Sequence, residues 1–275
     1  KKDQMTTLTE GAFAKINLTL DVLDRREDGY HDISTLMYPV KGLCDTLQVD
    51  ASSDDSFTCE GIEVDCPPQD NLCIRAYRLL KDEFGTGSAA IRLGKRIPFG
   101  AGLGGGSSDA AAVLCAMNRI YGLGLDSEAL ERRAALLGSD TSFFVRSVPR
   151  ICSGRGEIMT DCPIDLSGLY ILLVKPPYGV STRQAYSGIV PSIPSRPLEE
   201  LLTESIDTWK DSLCNDFEKT VFAIYPELMQ IKRRMYETGA VYASMSGSGS
   251  AIYGLFREKP TADFGSGMFS FAARL

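Results

Sequence analysis

Between Pro98 and Ala112 the chain reads P-F-G-A-G-L-G-G-G-S-S-D-A-A-A, and five of the seven residues from Gly100 to Gly106 are glycine. An alanine-rich segment of helical character follows directly. Glycine allows close approach to the backbone, and the free N–H groups at the start of a helix attract anions. The segment therefore predicts an anion site, most often one for phosphate, at a helix N-terminus. A flexible loop is the alternative interpretation.

Two familiar nucleotide-binding patterns do not account for these glycines. The P-loop pattern is absent, because no Lys-Ser or Lys-Thr follows them. Gly100, Gly102 and Gly105 do spell G-x-G-x-x-G, but a dinucleotide fold needs an apolar strand before that pattern and another strand after it. The residues at 95–98 are K-R-I-P, and a helix exit at 121–124 occupies the place of the later strand. We therefore interpret this match as accidental.

Length and composition narrow the class of protein. A chain of 275 residues, 44% hydrophobic and 24% charged, is typical of one large globular domain or of two lobes. Its apolar runs are shorter than the roughly 18 residues of a membrane helix, and the N-terminus lacks a signal-peptide pattern, so we expect a cytoplasmic protein. A net charge of −7 argues against bulk nucleic-acid binding.

The eight cysteines do not form a recognisable metal or disulfide pattern. They include no C-x-x-C pair, and a single histidine is available to complete a metal site. Several lie where a small apolar side chain would serve. Free, mostly buried thiols are expected.

The apolar periodicity predicts a two-lobed α+β protein. Residues 12–22 alternate between apolar and polar side chains, which is typical of a half-buried strand. Helices are predicted over 71–84, from a cap at Ser108 or Asp109 to about 121, and over 127–137, 198–209 and 227–238. Further strands are predicted at 169–174, 241–243 and 251–256. Glycine, proline and polar residues become more frequent around 146–168, so we predict two lobes, one at 1–155 and the other at 156–275.

Phosphoryl transfer is a chemistry that suits such a loop. It needs bound phosphates, positive charge near the migrating group and a residue that orients the attacking hydroxyl. The glycines meet the first need, and Ser107 or Ser108 can add a hydroxyl ligand for phosphate or Mg²⁺. Lys15, beside Asn17 on the polar face of the first strand, is a candidate for the second, with a solvated lysine as the alternative. Asp140 is a candidate base, with a cap or turn residue as the alternative.

Three segments resemble the motifs of the GHMP kinase superfamily, which phosphorylates galactose, homoserine, mevalonate and related alcohols. They are A-K-I-N-L at 14–18, P-F-G-A-G-L-G-G-G-S-S at 98–108 and S-G-S-G-S at 246–250. Within that superfamily, R-E-D-G-Y-H at 26–31, the triple glycine and N-D-F-E at 215–218 are similar to the branch that acts on 4-diphosphocytidyl-2-C-methyl-D-erythritol. The resemblance extends in the expected order from about residue 10 to residue 256.

The resemblance implies the fold and the activity. The implied fold has a mixed-sheet N-terminal lobe and a ferredoxin-like C-terminal lobe, with the active site between them. The implied activity is ATP- and Mg²⁺-dependent transfer of the γ-phosphate to the 2-hydroxyl of this cytidine-diphosphate sugar alcohol, in the non-mevalonate route to isoprenoids. The partners are then ATP and a small-molecule substrate, without nucleic acid or membrane.

The resemblance also implies which residues form the site. Lys15 and Asp140 match the catalytic pair. The residues implied to bind ATP are Pro98, Gly100, Ala101, Gly102, Leu103, Gly104, Gly105, Gly106, Ser107 and Ser108, together with Lys95 and Asn71 at the nucleoside. The residues implied to bind the substrate are Asn17, Tyr30, His31, Tyr186, Ser246, Gly247 and Ser248. A tyrosine ring offers a stacking face and a histidine ring offers hydrogen bonds to a base edge, which suits cytidine.

One departure and two alternatives remain. The family usually has proline two residues after the catalytic aspartate, where this chain has Ser142, so a less rigid loop is expected around Asp140. A GHMP kinase for another alcohol, such as homoserine or mevalonate, is one alternative, although such substrates need no stacking ring like Tyr30. An inactive sensor that binds ATP and a sugar-like ligand is the other, although both Lys15 and Asp140 are present.

Overall fold

The computed structural model describes residues 7–62 and 66–275. Contacts between Cα atoms divide the chain into two units, each assembled from separate segments. The first unit takes its residues from Lys1–Ala14, Leu43–Phe99 and Gly104–Val148, and the second from Lys15–Gly42, Gly100–Leu103 and Pro149–Leu275. A boundary between two consecutive lobes at residue 155 stays a prediction.

Strands and helices occur in separate runs along the chain, as expected for the α+β class. The strands are β1 (Thr7–Arg25), β2 (His31–Ser52), β3 (Ser56–Gly61), β4 (Ser88–Lys95), β5 (Arg150–Ser153), β6 (Ile158–Asp161), β7 (Tyr170–Lys175), β8 (Tyr242–Met245), β9 (Ile252–Phe256) and β10 (Phe269–Arg274). The α-helices are α1 (Leu72–Phe84), α2 (Gly105–Ile120), α3 (Ser127–Ala135), α4 (Phe143–Arg146), α5 (Thr182–Tyr186), α6 (Leu198–Leu201), α7 (Trp209–Ser212), α8 (Phe217–Ile224) and α9 (Pro226–Glu237). Short 3-10 helices lie at Pro68–Asp70 and Ile206–Thr208.

The first unit packs helices α1, α2 and α3 on one face of a mixed sheet. The second half of β2 pairs antiparallel with β4, so that Leu47 lies opposite Leu93, and β3 pairs parallel with β4. Alternate apolar residues of these strands meet the apolar faces of the helices in a core that includes Leu80, Val113 and Met117. Helix α2 is apolar almost all round and is largely buried, as its sequence predicted.

The second unit contains an antiparallel sheet in the order β10-β7-β9-β8. Helices α8 and α9 cover it, and Val221, Leu228 and Met235 join Val174 and Ile252 in its core. In the same unit the first half of β2 pairs antiparallel with β5, which pairs with β6. The predicted strands at 169–174, 241–243 and 251–256 are confirmed to within two residues as β7, β8 and β9.

The first predicted strand is confirmed, but its environment differs from the expectation. Residues 12–22 lie within β1, and their apolar face is buried. The polar face is buried as well: the exposed fractions of Lys15, Asn17 and Thr19 are 2%, 2% and 1%. The expectation of a half-buried strand is therefore wrong, and so is the alternative of a solvated Lys15. Buried polar side chains need hydrogen-bond partners, which other segments of the second unit supply.

Helix predictions succeeded where capping residues mark the ends. Asn71 caps α1 through its side chain, and Gly85 ends α1 in the left-handed conformation. The continuous helix predicted over 198–209 is wrong, because the segment breaks into α6, a 3-10 turn and α7. There the side-chain oxygen of Ser205 accepts a hydrogen bond from the backbone N–H of Asp207, which competes with the helical pattern.

Two expectations from composition can be compared with the structure. The cysteines are free, as predicted, but only Cys73 and Cys152 are buried, while Cys59 and Cys214 are exposed, so the expectation of mostly buried thiols is wrong. In residues 7–62 and 66–275, none of the helices has the length and apolar character needed to cross a membrane.

Candidate active site

Two glycine-containing loops of the second unit lie against each other. The backbone N–H of Ala251 donates to the carbonyl of Ala101 at 3.1 Å, and the N–H of Ser250 donates to the carbonyl of Gly100 at 3.3 Å. A Cβ atom on Gly102, whose φ is +72°, would lie 1.9 Å from the carbonyl oxygen of Ser246. Only glycine fits there, so the first loop and the S-G-S-G-S loop form one backbone cradle.

Lys15 contributes its ammonium group to this cradle. Its Nζ donates to the Gly102 carbonyl at 2.9 Å and also to Oδ1 of Asn17. The amide of Asn17 in turn donates to Oγ1 of Thr35 at 2.8 Å, which fixes its orientation. A Cβ on Gly247 would lie 3.4 Å from the Lys15 Nζ. A positive charge therefore stands between the two loops, with oxygen atoms that hold its position.

The S-G-S-G-S loop is anchored by groups that the sequence did not single out. The Ser246 hydroxyl donates to the Gly102 carbonyl at 2.8 Å, and the backbone N–H of Asn17 donates to the Ser246 hydroxyl at 3.3 Å. The side chain of Asn215 donates to the carbonyls of Met245 and Gly247 at 2.8 and 2.9 Å. Asn215 belongs to the quoted N-D-F-E segment, but its role could not be predicted from local pattern.

In the first unit, the remaining glycines form the start of α2. Gly104 is the N-cap, at a φ of +71° and without a side-chain cap, and the helix begins at Gly105. The prediction that Ser108 or Asp109 caps this helix is therefore wrong, because both lie within it. The N–H groups of an uncapped first turn point outward and are available to an anion. Ser107 is half-buried, whereas Ser108 is buried.

Lys95 and Asn71 were assigned to the nucleoside of ATP by resemblance, and this stays a prediction. The Lys95 ammonium is buried and ion-paired with Asp45 and with Asp109 of α2. Asp45 also accepts the backbone N–H group of Ile97. Burial outweighs the attraction of the ammonium and raises the pKa of Asp109 to about 7. Asn71 uses its side-chain oxygen to cap α1, at 2.9 Å from the backbone nitrogen of Cys73.

Asp140 lies half-buried in the turn between α3 and α4, in the same unit as the start of α2. The N–H of Thr141 donates to the carbonyl of Gly138, and the Ser142 hydroxyl donates to the carbonyl of Glu131 at 2.8 Å. Ser142, which stands where the family usually has proline, is thus restrained by the hydrogen bond of its hydroxyl. A Cβ on Gly138 would lie 3.9 Å from the Ser107 hydroxyl, so this turn lies beside the N-terminal end of α2.

The aromatic residues assigned to cytidine lie in the second unit. The rings of His31 and Tyr186 stack with centroids 4.6 Å apart and an interplanar angle of 19°. Tyr186 also meets Phe217 edge to face. Tyr30 is 57% exposed, and the guanidinium of Arg155 lies 4.7 Å from its ring centroid. The structure thus brings His31 and Tyr186 together, and their assignment to cytidine stays a prediction.

Comparisons with known proteins identify the family of this chain. Residues 71–147 match the family described as GHMP kinases N terminal domain, and residues 197–269 match GHMP kinases C terminal. The chain is 45% identical to the 4-diphosphocytidyl-2-C-methyl-D-erythritol kinase of Bacteroides thetaiotaomicron, over 95% of this chain and 98% of the relative. It is 42% identical to the enzyme of the same name from Porphyromonas gingivalis, over 91% and 92% of the two chains.

Solved structures show the same relationship. A crystal structure of 4-(cytidine 5'-diphospho)-2C-methyl-D-erythritol kinase superposes with a TM-score of 0.77 at 36% identity, covering 90% of each chain. A homoserine kinase from Cytophaga hutchinsonii superposes with a TM-score of 0.72 at 17% identity, covering 93% of this chain and 86% of the other, and shows the shared fold alone. The chain belongs to the GHMP kinases and, within them, to the 4-diphosphocytidyl-2-C-methyl-D-erythritol kinase family.

Proposed function

We propose that this chain transfers the γ-phosphoryl group of ATP to the 2-hydroxyl of 4-diphosphocytidyl-2-C-methyl-D-erythritol, in the non-mevalonate route to isoprenoids. The observation that carries the proposal is the buried Lys15, whose ammonium donates to the carbonyl of Gly102 within the glycine loop. A lysine built into a phosphate loop supplies the charge that phosphoryl transfer needs. Relatives at 41–45% identity that carry this enzyme name support the substrate.

The residues divide the work of the reaction as follows. Backbone N–H groups of the glycine loop and of the first turn of α2 hold the phosphates of ATP. The 2-hydroxyl oxygen forms a bond to the γ-phosphorus while the bond from that phosphorus to the β,γ-bridging oxygen breaks, and ADP leaves. Lys15 offsets the negative charge on the transferring oxygens, and Asp140 accepts the hydroxyl proton. Because the transition state is loose, orientation of the hydroxyl by Asp140 matters more than early deprotonation.

Magnesium would enter as part of the ATP complex and would neutralise phosphate charge. Mg²⁺ prefers oxygen ligands in an octahedral shell and keeps several waters, so it needs few protein ligands. A hydroxyl at the first turn of α2 suits this role. Ser107 is half-buried beside the turn that carries Asp140, whereas Ser108 is buried, and we therefore favour Ser107 over Ser108 as the additional ligand.

The cytidine is assigned to the aromatic residues of the second unit. Stacking on an aromatic ring suits any base, while the two ring nitrogens of His31 provide directional contacts to one base edge. The stacked pair of His31 and Tyr186 supports a pyrimidine site better than a site for a small aliphatic alcohol. We infer a cytoplasmic enzyme whose partners are ATP and this nucleotide-linked alcohol, without nucleic acid.

Competing acceptors test the substrate assignment. Purified enzyme is given ATP and Mg²⁺ with the cytidyl substrate, homoserine or mevalonate, and ADP release is measured with each. We expect turnover with the cytidyl substrate at least about 100-fold above the other two, since a site built around base contacts rejects acceptors that lack them. Faster turnover of homoserine or mevalonate would show a different alcohol kinase. ATP binding without turnover of any acceptor would favour the sensor.

A further inference from the structure

Lys175, the last residue of β7, is a buried cation that the proposed reaction does not use. Its exposed fraction is 7%, and its ammonium donates to the carbonyls of Pro176 and Tyr178 at 2.9 and 3.0 Å. Within the described part of the chain, the ammonium has no carboxylate as an ion-pair partner. Burial lowers the pKa of Lys175, as expected when a charge loses water and gains only neutral partners.

The carbonyl of Tyr178 connects this lysine to the glycine loops. The hydroxyl of Ser250, in the S-G-S-G-S loop, donates to the same carbonyl oxygen as the Lys175 ammonium. The phenol of Tyr178 donates to Glu227 at 2.6 Å, and its ring stacks on Tyr225 at 5.1 Å between centroids. The turn after β7 is therefore fixed from three directions.

The next residue of this turn touches the start of the glycine loop. A Cβ on Gly179 would lie 3.0 Å from the carbonyl oxygen of Gly100 and 3.3 Å from its Cα. The carbonyl of Gly100 also accepts the backbone N–H of Ser250. Any shift of the turn would therefore be transmitted to Gly100, because neither backbone has room to yield.

The charge itself also points to an anion. Burial of an ammonium group is unfavourable, and neutral carbonyls offset only part of the lost hydration. An uncompensated buried charge beside a loop built from backbone groups is the kind of group that marks a functional site. A polyphosphate at the loop would supply the negative charge that Lys175 lacks among its contacts with the described residues.

We propose that Lys175 is a positioning residue for ATP, which fixes the turn at Pro176–Gly179 against Gly100 and places a positive charge beside the glycine loop. The proposal rests on the proposed ATP-dependent activity. Lys15 binds the carbonyl of Gly102 at one end of the loop. Lys175 acts at the other end, through the turn whose Gly179 packs against Gly100. Two ammonium groups, each bound to backbone carbonyls, thus support the loop from its two ends.

Nucleotide affinity measured without an acceptor tests this role. The magnesium complex of the non-hydrolysable analogue AMP-PNP is titrated into the wild-type enzyme, Lys175→Met and Lys175→Arg, with Lys259→Met as the control at an exposed lysine of the same unit. We expect Lys175→Met to weaken AMP-PNP about tenfold, because the turn at Pro176–Gly179 loses its charge-assisted hydrogen bonds and the loop loses a nearby positive charge. Arginine should restore the affinity to within about threefold, and Lys259→Met should change nothing.

Steady-state kinetics give the second readout. Lys175→Met should raise the KM for ATP about tenfold and leave the KM for the cytidyl substrate within about twofold of wild type. Wild-type affinity for AMP-PNP in a folded Lys175→Met variant would overturn the proposal. So would an equal rise in both KM values, which indicates general structural damage. If the Lys175 variants change AMP-PNP affinity as expected but the wild-type enzyme does not turn over the cytidyl substrate, the proposed function is rejected and the role of Lys175 in nucleotide binding is retained.

A neutral variant covers the case in which Lys175→Met does not fold. Ser250→Ala removes the other side-chain donor to the Tyr178 carbonyl without changing any charge. We expect it to weaken AMP-PNP about threefold at an unchanged KM for the cytidyl substrate. Unaltered AMP-PNP affinity in a folded Ser250→Ala variant would show that the position of this carbonyl does not matter to ATP, and it would overturn the proposal.

Discussion

Replacement of Asp109 by asparagine should make the protein more stable at alkaline pH. Asp109 shares the ammonium of Lys95 with Asp45, so that one buried cation faces two buried carboxylates. One oxygen of Asp109 is buried and has no hydrogen-bond partner among the described residues. Asparagine has nearly the same shape and removes the surplus negative charge without removing an acceptor for Lys95.

The magnitude follows from the pKa of Asp109, which burial raises from 3.8 to about 7. The folded state then binds the proton more tightly than the unfolded state. The contribution of this proton to the free energy of unfolding is fully present below about pH 4 and is lost as the pH rises through 7. A shift of about three pKa units sets a ceiling of about 4 kcal/mol on this loss. Because the buried asparagine amide also needs a partner, we expect a net gain of about 1–3 kcal/mol at pH 8.

Urea unfolding at pH 5, 6, 7 and 8 measures this effect as the difference between Asp109→Asn and wild type. Other groups that titrate in the same window, such as Asp21 with a pKa raised to about 6 by burial, cancel in that difference. Asp82→Asn on the exposed face of α1 is the matched control and should show no trend. A difference in unfolding free energy between Asp109→Asn and wild type that stays constant from pH 5 to pH 8 would show that Asp109 does not lose stabilising protonation in this range. A variant less stable than wild type at pH 8 would show the same.

Two further substitutions test the packing of the glycine loop and the assignment of Tyr186 to the cytosine base. Gly102→Ala should lower the free energy of urea unfolding by at least twice the roughly 1–2 kcal/mol expected for Gly124→Ala. Both glycines have positive φ (+72° and +69°), but only at Gly102 would the new Cβ clash, 1.9 Å from the Ser246 carbonyl oxygen. Equal losses in the two variants would contradict the close packing of the two loops. Tyr186→Leu removes the ring stacked on His31. It should raise the KM for the cytidyl substrate about tenfold and leave the KM for ATP within about twofold of wild type. A rise in the KM for ATP alone would contradict the assignment of this ring to the cytosine base.

Local signals in the sequence were sufficient for much of the fold. Helix α1 could be bounded because Asn71 and Gly85 are residues that cap helices by known mechanisms. The alternation over 12–22 identified β1. The segment at 198–209 has helical periodicity too, but Ser205 redirects the backbone there, and such competition depends on geometry that periodicity does not encode. A local side-chain-to-backbone hydrogen bond therefore decided the conformation where helical periodicity alone did not.

The candidate site was predictable as a set of motifs but not as a set of contacts. Lys15 was chosen from its place in a strand, yet its burial depends on Gly102, which is 87 residues away in the chain. Asp45 carries no local signal at all, and its partner Lys95 lies 50 residues further on. Pairings at such separations arise only when the chain has folded, so sequence pattern could name candidates but not their partners.

³¹P NMR of the reaction with the cytidyl substrate, in wild type and in Asp140→Asn, is the sharpest test of phosphoryl transfer to the 2-hydroxyl. We expect a new phosphomonoester on the 2-hydroxyl in the wild-type reaction. In Asp140→Asn we expect a rate about 10³-fold lower, since loss of a general base typically costs 10²- to 10⁴-fold, with AMP-PNP affinity within about twofold of wild type. An undiminished rate of phosphomonoester formation in Asp140→Asn, or phosphate on a different oxygen, would show that the reaction or the role of Asp140 is assigned wrongly.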